Sequence, residues 1–258
     1  MKIGVPKEIK PQENRIGLTP DSVKSLISNG HEVLVENNGG FEAGFDNEQY
    51  ESAGAKIVEK AEDIFNDSEI IVKVKEPLSN EVKMIKENQI VFTYLHLAAA
   101  KELTEGLIKS KSVCIAYETV TDNTGRLPLL APMSAVAGRM SIQAGAHSLE
   151  KNQKGRGLLL GGAPGVDPAN VVILGGGVVG ENAALIATGM KANVHIVDKS
   201  VERLEQLQKI FGDKIIPQHS DKIDLEKLVS DCDLLIGGVL IPGAEAVSYT
   251  HLTLPTKA

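Results

Sequence analysis

The sequence contains no tryptophan, and aromatic residues make up only 3% of its 258 residues. Proteins that bind single-stranded nucleic acid stack the bases on exposed aromatic side chains, so this composition argues against such a function. A formal net charge of −7 and a pI near 5.5 argue against a surface that attracts nucleic acid or anionic lipid. We therefore expect no nucleic-acid partner and no membrane partner.

Cysteine and long apolar runs are equally scarce. The only two cysteines, Cys114 and Cys232, lie in apolar contexts, and their spacing matches no metal-ligand motif. No window approaches the roughly 18 apolar residues of a membrane span. The first residues, MKIGVPKE, lack the apolar region of a signal peptide. These features predict two reduced thiols, no metal site and a cytoplasmic protein.

Short apolar runs alternate with amphipathic segments over the first half of the chain. One helix is predicted to begin at Thr19, because a threonine N-cap is followed by Pro20 at the first helical position and by Asp21 in the first turn. Strands that alternate with helices of about three turns are typical of a mostly parallel sheet covered on both faces. The sequence therefore predicts an α/β protein.

A glycine-rich motif in the second half has the pattern of a dinucleotide-binding turn. The apolar run 171–174 predicts a buried strand, and Gly175, Gly177 and Gly180 follow it in G-x-G-x-x-G spacing. Gly175 permits the tight turn, Gly177 lets the backbone approach a pyrophosphate, and Gly180 lets the next helix pack closely on the strand. The free N–H groups of that helix would face the phosphates.

A second predicted strand ends at Asp198, 18 residues beyond Gly180. A carboxylate there accepts hydrogen bonds from the ribose hydroxyls and repels a 2′-phosphate, which favours NAD over NADP. The alternative is a strand–helix–strand unit with a tight turn and no ligand. The order of strand, glycines, helix, strand and acid favours NAD binding.

The same alternation divides the chain into two predicted domains. We expect two doubly wound parallel-sheet domains, a flavodoxin-like substrate domain over 1–130 and a Rossmann NAD-binding domain over 131–246. The second is expected to be incomplete, because a doubly wound domain carries about six strands. Residues 247–258 match neither the helix pattern nor the strand pattern of the preceding chain, which predicts a non-native tail. A genuine polar C-terminal extension is the alternative.

The junction between these domains has its own pattern. Residues 131–134 (APMS) are predicted to interrupt regular structure. The following stretch, 135–151, is predicted to form one long helix that bridges the two domains.

Three residues of the first domain are expected at the edge where ligands bind, beyond the carboxyl ends of parallel strands. Arg15 lies in the loop after the first strand, Lys75 ends the predicted strand 70–75, and His96 ends the predicted strand 90–96. Each also has an ordinary structural interpretation, as a solvated loop charge, a charged strand end or a structural histidine. Their shared edge favours a site that faces the nicotinamide domain.

The chemistry of these side chains suggests their roles. The guanidinium of Arg15 suits a two-bond grip on a carboxylate. The ammonium of Lys75 can stabilise charge on a carbonyl oxygen. An imidazole such as that of His96 can transfer a proton near neutral pH.

Five segments closely resemble the bacterial alanine dehydrogenase family, within the wider group that includes the transhydrogenase alpha subunit. They are 1–8 (MKIGVPKE), 14–20 (NRIGLTP), 73–77 (KVKEP), 94–98 (YLHLA) and 174–180 (LGGGVVG). The resemblance implies reversible, NAD-dependent oxidative deamination of L-alanine to pyruvate and ammonia. It implies pyruvate bound by Arg15 and Lys75, with His96 as the acid–base catalyst, in a homohexamer. It also implies NAD contacts at Ser134, Val178, Val179, Asp198, Arg203, Ser220, Val239 and Leu240.

The resemblance runs from residue 1 to about residue 244, whereas the family continues well beyond that point. We therefore expect a C-terminally truncated chain that lacks a second catalytic acid and the segment that returns to complete the first domain. This predicts weak or no activity for the chain by itself. The alternatives are the NAD-binding subunit of proton-translocating transhydrogenase, which lacks the lysine and histidine at positions 75 and 96, a more distant saccharopine dehydrogenase, and a non-catalytic NAD-binding regulator.

Overall fold

The computed structural model describes residues 1–239, and the predicted site residue Leu240 and the predicted tail lie outside the described residues. The chain divides into two compact units, Met1–Leu130 and Ala131–Ala258. No helix in the described range is long and apolar enough to cross a membrane. Each unit is an α/β structure whose paired strands all run parallel, which confirms the predicted fold class.

The first unit contains a six-stranded sheet in the order β3-β2-β1-β4-β5-β6. Without the edge strand β3, the remaining order is the flavodoxin-like one, and with β3 the sheet has the 3-2-1-4-5-6 order of a Rossmann-type domain. The strands are β1 (Lys2–Val5), β2 (Glu32–Glu36), β3 (Lys56–Val58), β4 (Ile70–Val72), β5 (Ile90–Thr93) and β6 (Val113–Ala116).

Five helices connect these strands: α1 (Pro20–Ser28), α2 (Asn47–Ser52), α3 (Ala61–Asp67), α4 (Ser79–Val82) and α5 (Lys101–Ser110). The predicted start of α1 is confirmed, because the Thr19 side chain accepts a hydrogen bond from the Ser22 backbone N–H. Two buried clusters hold the unit together, one around Val5, Val23 and Val35 and another around Ile64, Phe65 and Ile71.

The second unit contains a four-stranded sheet in the order β10-β7-β8-β9 within the described residues. Its strands are β7 (Asn170–Leu174), β8 (Asn193–Asp198), β9 (Ile215–His219) and β10 (Leu234–Gly237). Its helices are α6 (Ala131–Ser148), α7 (Val178–Gly189), α8 (Val201–Phe211) and α9 (Leu225–Asp231). In Rossmann numbering this order is the 3-2-1-4 part of a 3-2-1-4-5-6 sheet.

The prediction that residues 131–134 interrupt regular structure is wrong, because α6 begins at Ala131. Residues 131–134 are its first turn and do not interrupt the structure, because proline is compatible with the first turn of a helix, where its missing N–H is no loss. The helix packs on α7 within the second unit, and a Cβ added at Gly138 would overlap the Val179 carbonyl oxygen. Small residues on this helix therefore serve close helix packing.

Two strands end earlier than predicted. The strand β4 ends at Val72, so Lys75 lies beyond it, and β5 ends at Thr93, so His96 lies beyond it. In both segments the hydrogen-bond partner changes from a neighbouring strand to a carboxylate. The N–H groups of Val74 and Lys75 donate to Glu8. Those of Leu95 and His96 donate to Glu118.

Candidate functional site

Arg15, Lys75 and His96 follow the carboxyl ends of three neighbouring strands. Arg15 comes after β1, Lys75 after β4 and His96 after β5, and these strands are adjacent and parallel in the sheet. The junction of β1 and β4 is the point at which the strand order reverses, and ligands of open α/β sheets bind at such points. The fold thus brings the three predicted residues to one edge, at the position where a ligand is expected.

A cavity of about 460 Å³ lies at this edge. Of the three predicted residues Arg15 lines the cavity, whereas Lys75 and His96 are not among its lining residues. Thr19 and Tyr94 are further polar residues of the lining, and most of the remaining wall is apolar or aromatic. The aromatic lining residues are Phe45, Phe92, Tyr94 and Tyr117. The cavity concentrates aromatic side chains in a sequence that has few of them, which is typical of a small-molecule site.

The Arg15 guanidinium is held by Glu13 of the same loop. Its Nε donates to Glu13 Oε1 at 2.8 Å, its Nη2 donates to Oε2 at 2.6 Å, and its backbone N–H donates to Oε1 at 2.9 Å. The Arg15 guanidinium, which was predicted to donate two hydrogen bonds to a substrate carboxylate, donates them here to the Glu13 side chain. Hydrogen bonding from Arg15 lowers the pKa of Glu13 to about 2, against the opposing effect of burial, and the charges of Arg15 and Lys75 lower that pKa further.

The loop that carries Arg15 packs directly against the segment that leads to Lys75. A Cβ added at Gly17 would lie 2.6 Å from the Val72 carbonyl oxygen and 3.2 Å from the Lys73 backbone nitrogen. Because both atoms belong to the backbone, no rotamer change relieves the overlap. Position 17 therefore requires a glycine in order to keep Arg15 and Lys75 close.

A buried ion cluster contacts the backbone segment that carries Lys75. Lys73 is fully buried, and its Nζ lies 3.2 Å from Glu8 Oε2 and 2.7 Å from Glu81 Oε1. The other oxygen of Glu8 accepts the backbone N–H of Val74 at 2.6 Å and of Lys75 at 3.2 Å. Buried charges are stable only when they are paired and hydrogen-bonded, and this cluster meets both conditions. It holds the backbone of the segment from which the Lys75 side chain extends.

The carboxylate of Glu118 holds the backbone at His96. Glu118 accepts the N–H of His96 at 2.7 Å and the N–H of Leu95 at 3.0 Å. His96 itself has a left-handed backbone with φ 51°, which is uncommon for a residue other than glycine. Its ring stacks beside that of Tyr94, with the ring centres 6.2 Å apart. Two hydrogen bonds to one carboxylate thus help to fix an otherwise disfavoured conformation.

Tyr94 and Tyr117 form the rigid side of the cavity. Their ring centres lie 5.0 Å apart in an edge-to-face arrangement, and Tyr94 Oη donates to the Leu129 carbonyl oxygen at 2.6 Å. Burial raises the pKa of both phenols. Both are therefore neutral hydrogen-bonding groups at physiological pH.

The glycine turn of the second unit lies at the corresponding reversal point of its sheet, between β7 and β10. Gly175 has φ 95°, which favours glycine, and a Cβ added at Gly180 would overlap the Gly175 carbonyl oxygen. A Cβ at Gly177 would meet nothing within 4 Å. The three glycines thus have the turn, open-approach and close-packing environments that a dinucleotide turn needs.

Asp198 and Arg203 hold this turn from the next strand and helix. Asp198 Oδ2 accepts the Gly176 N–H at 2.6 Å, and Arg203 Nε donates to the Gly176 carbonyl oxygen at 2.5 Å. Arg203 also pairs with Glu181 in the first turn of α7. A carboxylate at the end of β8 therefore lies beside the turn, where it can reach a ribose.

The other predicted cofactor residues surround the same edge of the second sheet. Val178 and Val179 open α7, Ser220 follows β9, Val239 follows β10, and Ser134 lies in the first turn of α6, which packs on α7. A cavity of about 420 Å³ elsewhere in this unit, beside α9, contains none of the predicted cofactor residues. The described residues contain no group of three or more side chains that could hold a metal ion.

Sequence reasoning missed the residues that support the site, namely Glu8, Glu13, Gly17, Lys73, Glu81, Tyr94, Tyr117 and Glu118. A signal was present for some of them. Glu13 lies two residues before Arg15, and Tyr94 lies two residues before His96. The pairing of Glu8 with Lys73 spans 65 residues and had no local signal.

Two family models match this chain. The family model "Alanine dehydrogenase/PNT, N-terminal domain" matches residues 4–137, and "Alanine dehydrogenase/PNT, C-terminal domain" matches residues 141–250. The alanine dehydrogenase of Halomonas elongata is 52% identical over 246 residues, which are 95% of this chain and 66% of that protein. The chain therefore spans just under two thirds of the length of this curated relative.

Solved structures show the same relationship. An L-alanine dehydrogenase structure matches with a TM-score of 0.87 and 52% identity, over 95% of this chain and 68% of the other. A transhydrogenase from Sinorhizobium meliloti matches with a TM-score of 0.77 but only 22% identity, over 95% of this chain and 71% of the other, and shows the fold alone. The motifs, the fold and these matches together show that the chain belongs to the alanine dehydrogenase/PNT family.

Proposed function

We propose that this chain carries the substrate-binding and NAD-binding parts of an NAD-dependent alanine dehydrogenase, which converts L-alanine reversibly to pyruvate and ammonia. The observation that carries the proposal is the convergence of Arg15, Lys75 and His96 at the reversal point of the first sheet. The 52% identity to an alanine dehydrogenase supports L-alanine as the substrate.

In this proposal each of the three residues acts on one part of the substrate. Arg15 binds the carboxylate, Lys75 donates to the carbonyl oxygen of pyruvate, and His96 moves protons as water adds and ammonia leaves. The aromatic walls formed by Tyr94 and Tyr117 pack around the small side chain and reduce the water around the reacting carbon. NAD, when bound to the second unit, would supply the hydride acceptor that the oxidation of the α-carbon needs.

The second unit is proposed to hold NAD. The open space beside Gly177 suits the approach of a pyrophosphate, and the first turn of α7 supplies backbone N–H groups. The carboxylate of Asp198, which lies beside Gly176, is proposed to accept the ribose hydroxyls. The remaining contacts proposed are those of Ser134, Val178, Val179, Arg203, Ser220 and Val239, together with Leu240.

We further propose that residues 1–130 form the substrate domain and 131–246 the NAD domain of a cytoplasmic protein, which in its full-length form assembles as a homo-oligomer, a hexamer. The family resemblance supports these assignments. Sedimentation of the purified chain tests assembly, and cell fractionation tests location. A monomer at micromolar concentration would contradict the hexamer.

The test of the proposed reaction is NADH formation from L-alanine by the full 258-residue chain, together with pyruvate and NADH binding by calorimetry. The turnover of the chain by itself is expected to be weak, and His96→Ala is expected to abolish it while NADH still binds. The matched control is His147→Ala, because the His147 side chain is 62% exposed and lies in the other unit. A wild-type chain that binds neither pyruvate nor NADH would show the proposal to be wrong.

A further inference from the structure

The carboxylate of Glu13 is bonded to Arg15, which lines the cavity in the first unit. The Glu13 side chain is only 7% exposed, and both of its oxygens are bonded to Arg15. This contact is therefore not a loose surface ion pair, because side-chain and backbone donors of Arg15 hold the carboxylate at three points.

The second cation, Lys75, is held close to the same carboxylate. The contact of Gly17 with Val72 and Lys73 keeps the loop 13–17 against the segment that leads to Lys75. The Lys75 charge acts on Glu13 strongly enough to contribute to the lowered pKa of that carboxyl group, after the larger effect of Arg15. Glu13 is therefore ionised at neutral pH and offsets one of two positive charges.

Charge in a partly apolar cavity discriminates between ligands by their own charge. The Coulomb energy between a fixed group and a ligand grows in proportion to the ligand charge, so a dicarboxylate gains about twice as much as a monocarboxylate from each added positive charge. Two uncompensated cations would favour dicarboxylates. The buried cluster of Lys73, Glu8 and Glu81 is a fixed background that does not change when Glu13 alone is altered.

We propose that Glu13 is a specificity-determining residue, whose carboxylate offsets one of the two cations and so makes the site around Arg15 and Lys75 select monocarboxylates over dicarboxylates. The inference rests on the proposed function, because it takes Arg15 and Lys75 as the groups that hold the substrate. Glu13 thereby disfavours the binding of dicarboxylic amino acids and oxo acids. These compounds share the α-carboxylate of alanine and carry a second negative charge.

Pyruvate and oxalate form a matched pair of probes. They have nearly the same size, and at neutral pH pyruvate carries one negative charge and oxalate two. Calorimetric affinities for both are measured with the full chain as wild type, Glu13→Gln, which removes the charge, and Glu13→Asp, which keeps it. Glu32→Gln is the control, because the Glu32 side chain is 75% exposed on the surface.

The wild type is expected to prefer pyruvate. In Glu13→Gln the ratio of oxalate affinity to pyruvate affinity is expected to rise by at least about tenfold, whereas Glu13→Asp and Glu32→Gln stay within about threefold of the wild type. Circular dichroism checks that each variant is folded.

Three results would overturn the inference. A wild type that binds oxalate as tightly as pyruvate contradicts it, even if the Glu13→Gln variant does not fold. A folded Glu13→Gln variant with an unchanged ratio contradicts it and leaves the proposed function intact. A wild type that binds NADH but neither pyruvate nor oxalate contradicts both the inference and the substrate assignment.

Discussion

Replacing Gly17 by alanine tests the packing that keeps Arg15 near Lys75. The new Cβ would lie 2.6 Å from the Val72 carbonyl oxygen, whereas ordinary contacts begin at 3.4 Å. The loop must therefore retreat from the backbone of residues 72–73 by about 0.8 Å, the difference between these two distances. Overpacking of this kind costs about 1–3 kcal/mol.

The expected result is a first unit destabilised by about 2 kcal/mol. Pyruvate affinity should fall by tenfold or more, because a displacement near 1 Å at a positioned group costs up to about 10²-fold. The matched control is Gly189→Ala in α7, where a Cβ meets nothing within 4 Å. That variant should be neutral or stabilised by about 0.5–1 kcal/mol, because alanine favours the helix over glycine.

Because two compact units can unfold separately, the assay must follow one unit at a time. Hydrogen exchange resolved by peptide reports the opening free energy of the segment 70–75 in the first unit and of α7 in the second. Calorimetry with pyruvate reports the site. If Gly17→Ala exchanges like the wild type over 70–75 and binds pyruvate equally well, the steric reasoning is refuted.

Three further substitutions give independent tests. Lys73→Met should destabilise the first unit by about 3–5 kcal/mol in hydrogen exchange or urea unfolding, because it leaves two buried carboxylates unpaired. The control is Lys101→Met, because the Lys101 side chain is 89% exposed, and it should change the free energy of unfolding of the first unit by less than about 0.5 kcal/mol. Equal effects of the two substitutions would contradict the role of the buried cluster. Because bonding to Arg15 lowers the pKa of Glu13 from 4.5 to about 2, ionised Glu13 stabilises the folded state above pH 4.5, and this contribution is lost as the pH falls from 4.5 to about 2. The wild type should thus lose at most about 3 kcal/mol relative to Glu13→Gln over that range, and parallel stability curves would disprove the pairing. Asp198→Ser should raise the ratio of NADPH to NADH affinity roughly tenfold in a fluorescence titration, because it removes a charge that repels a 2′-phosphate, and an unchanged ratio would exclude Asp198 as the discriminating residue.

The parts of the fold that sequence reasoning predicted well are those with local causes. The threonine cap of α1 and the strand–turn–helix around Gly175 follow from backbone preferences within a few residues. The alternation of strands and helices likewise predicted parallel sheets, and parallel strands place Arg15, Lys75 and His96 at one edge.

The errors have equally physical causes. The strand leading to Lys75 was predicted too long, because apolar alternation continues after the N–H groups have turned to Glu8. The first turn of α6 was predicted as a break, because a proline disrupts a helix interior but is compatible with its first turn.

The sequence by itself determined the glycine turn, the positions of the candidate cations and the parallel α/β class, because each depends on short-range geometry. Only the tertiary structure decided which acidic side chains bond to the segments that carry these residues. Glu8 reaches Lys73 across 65 residues, and Glu118 reaches His96 across 22. Such contacts depend on which strands become neighbours, and strand order is set by the packing of the whole unit rather than by any local pattern.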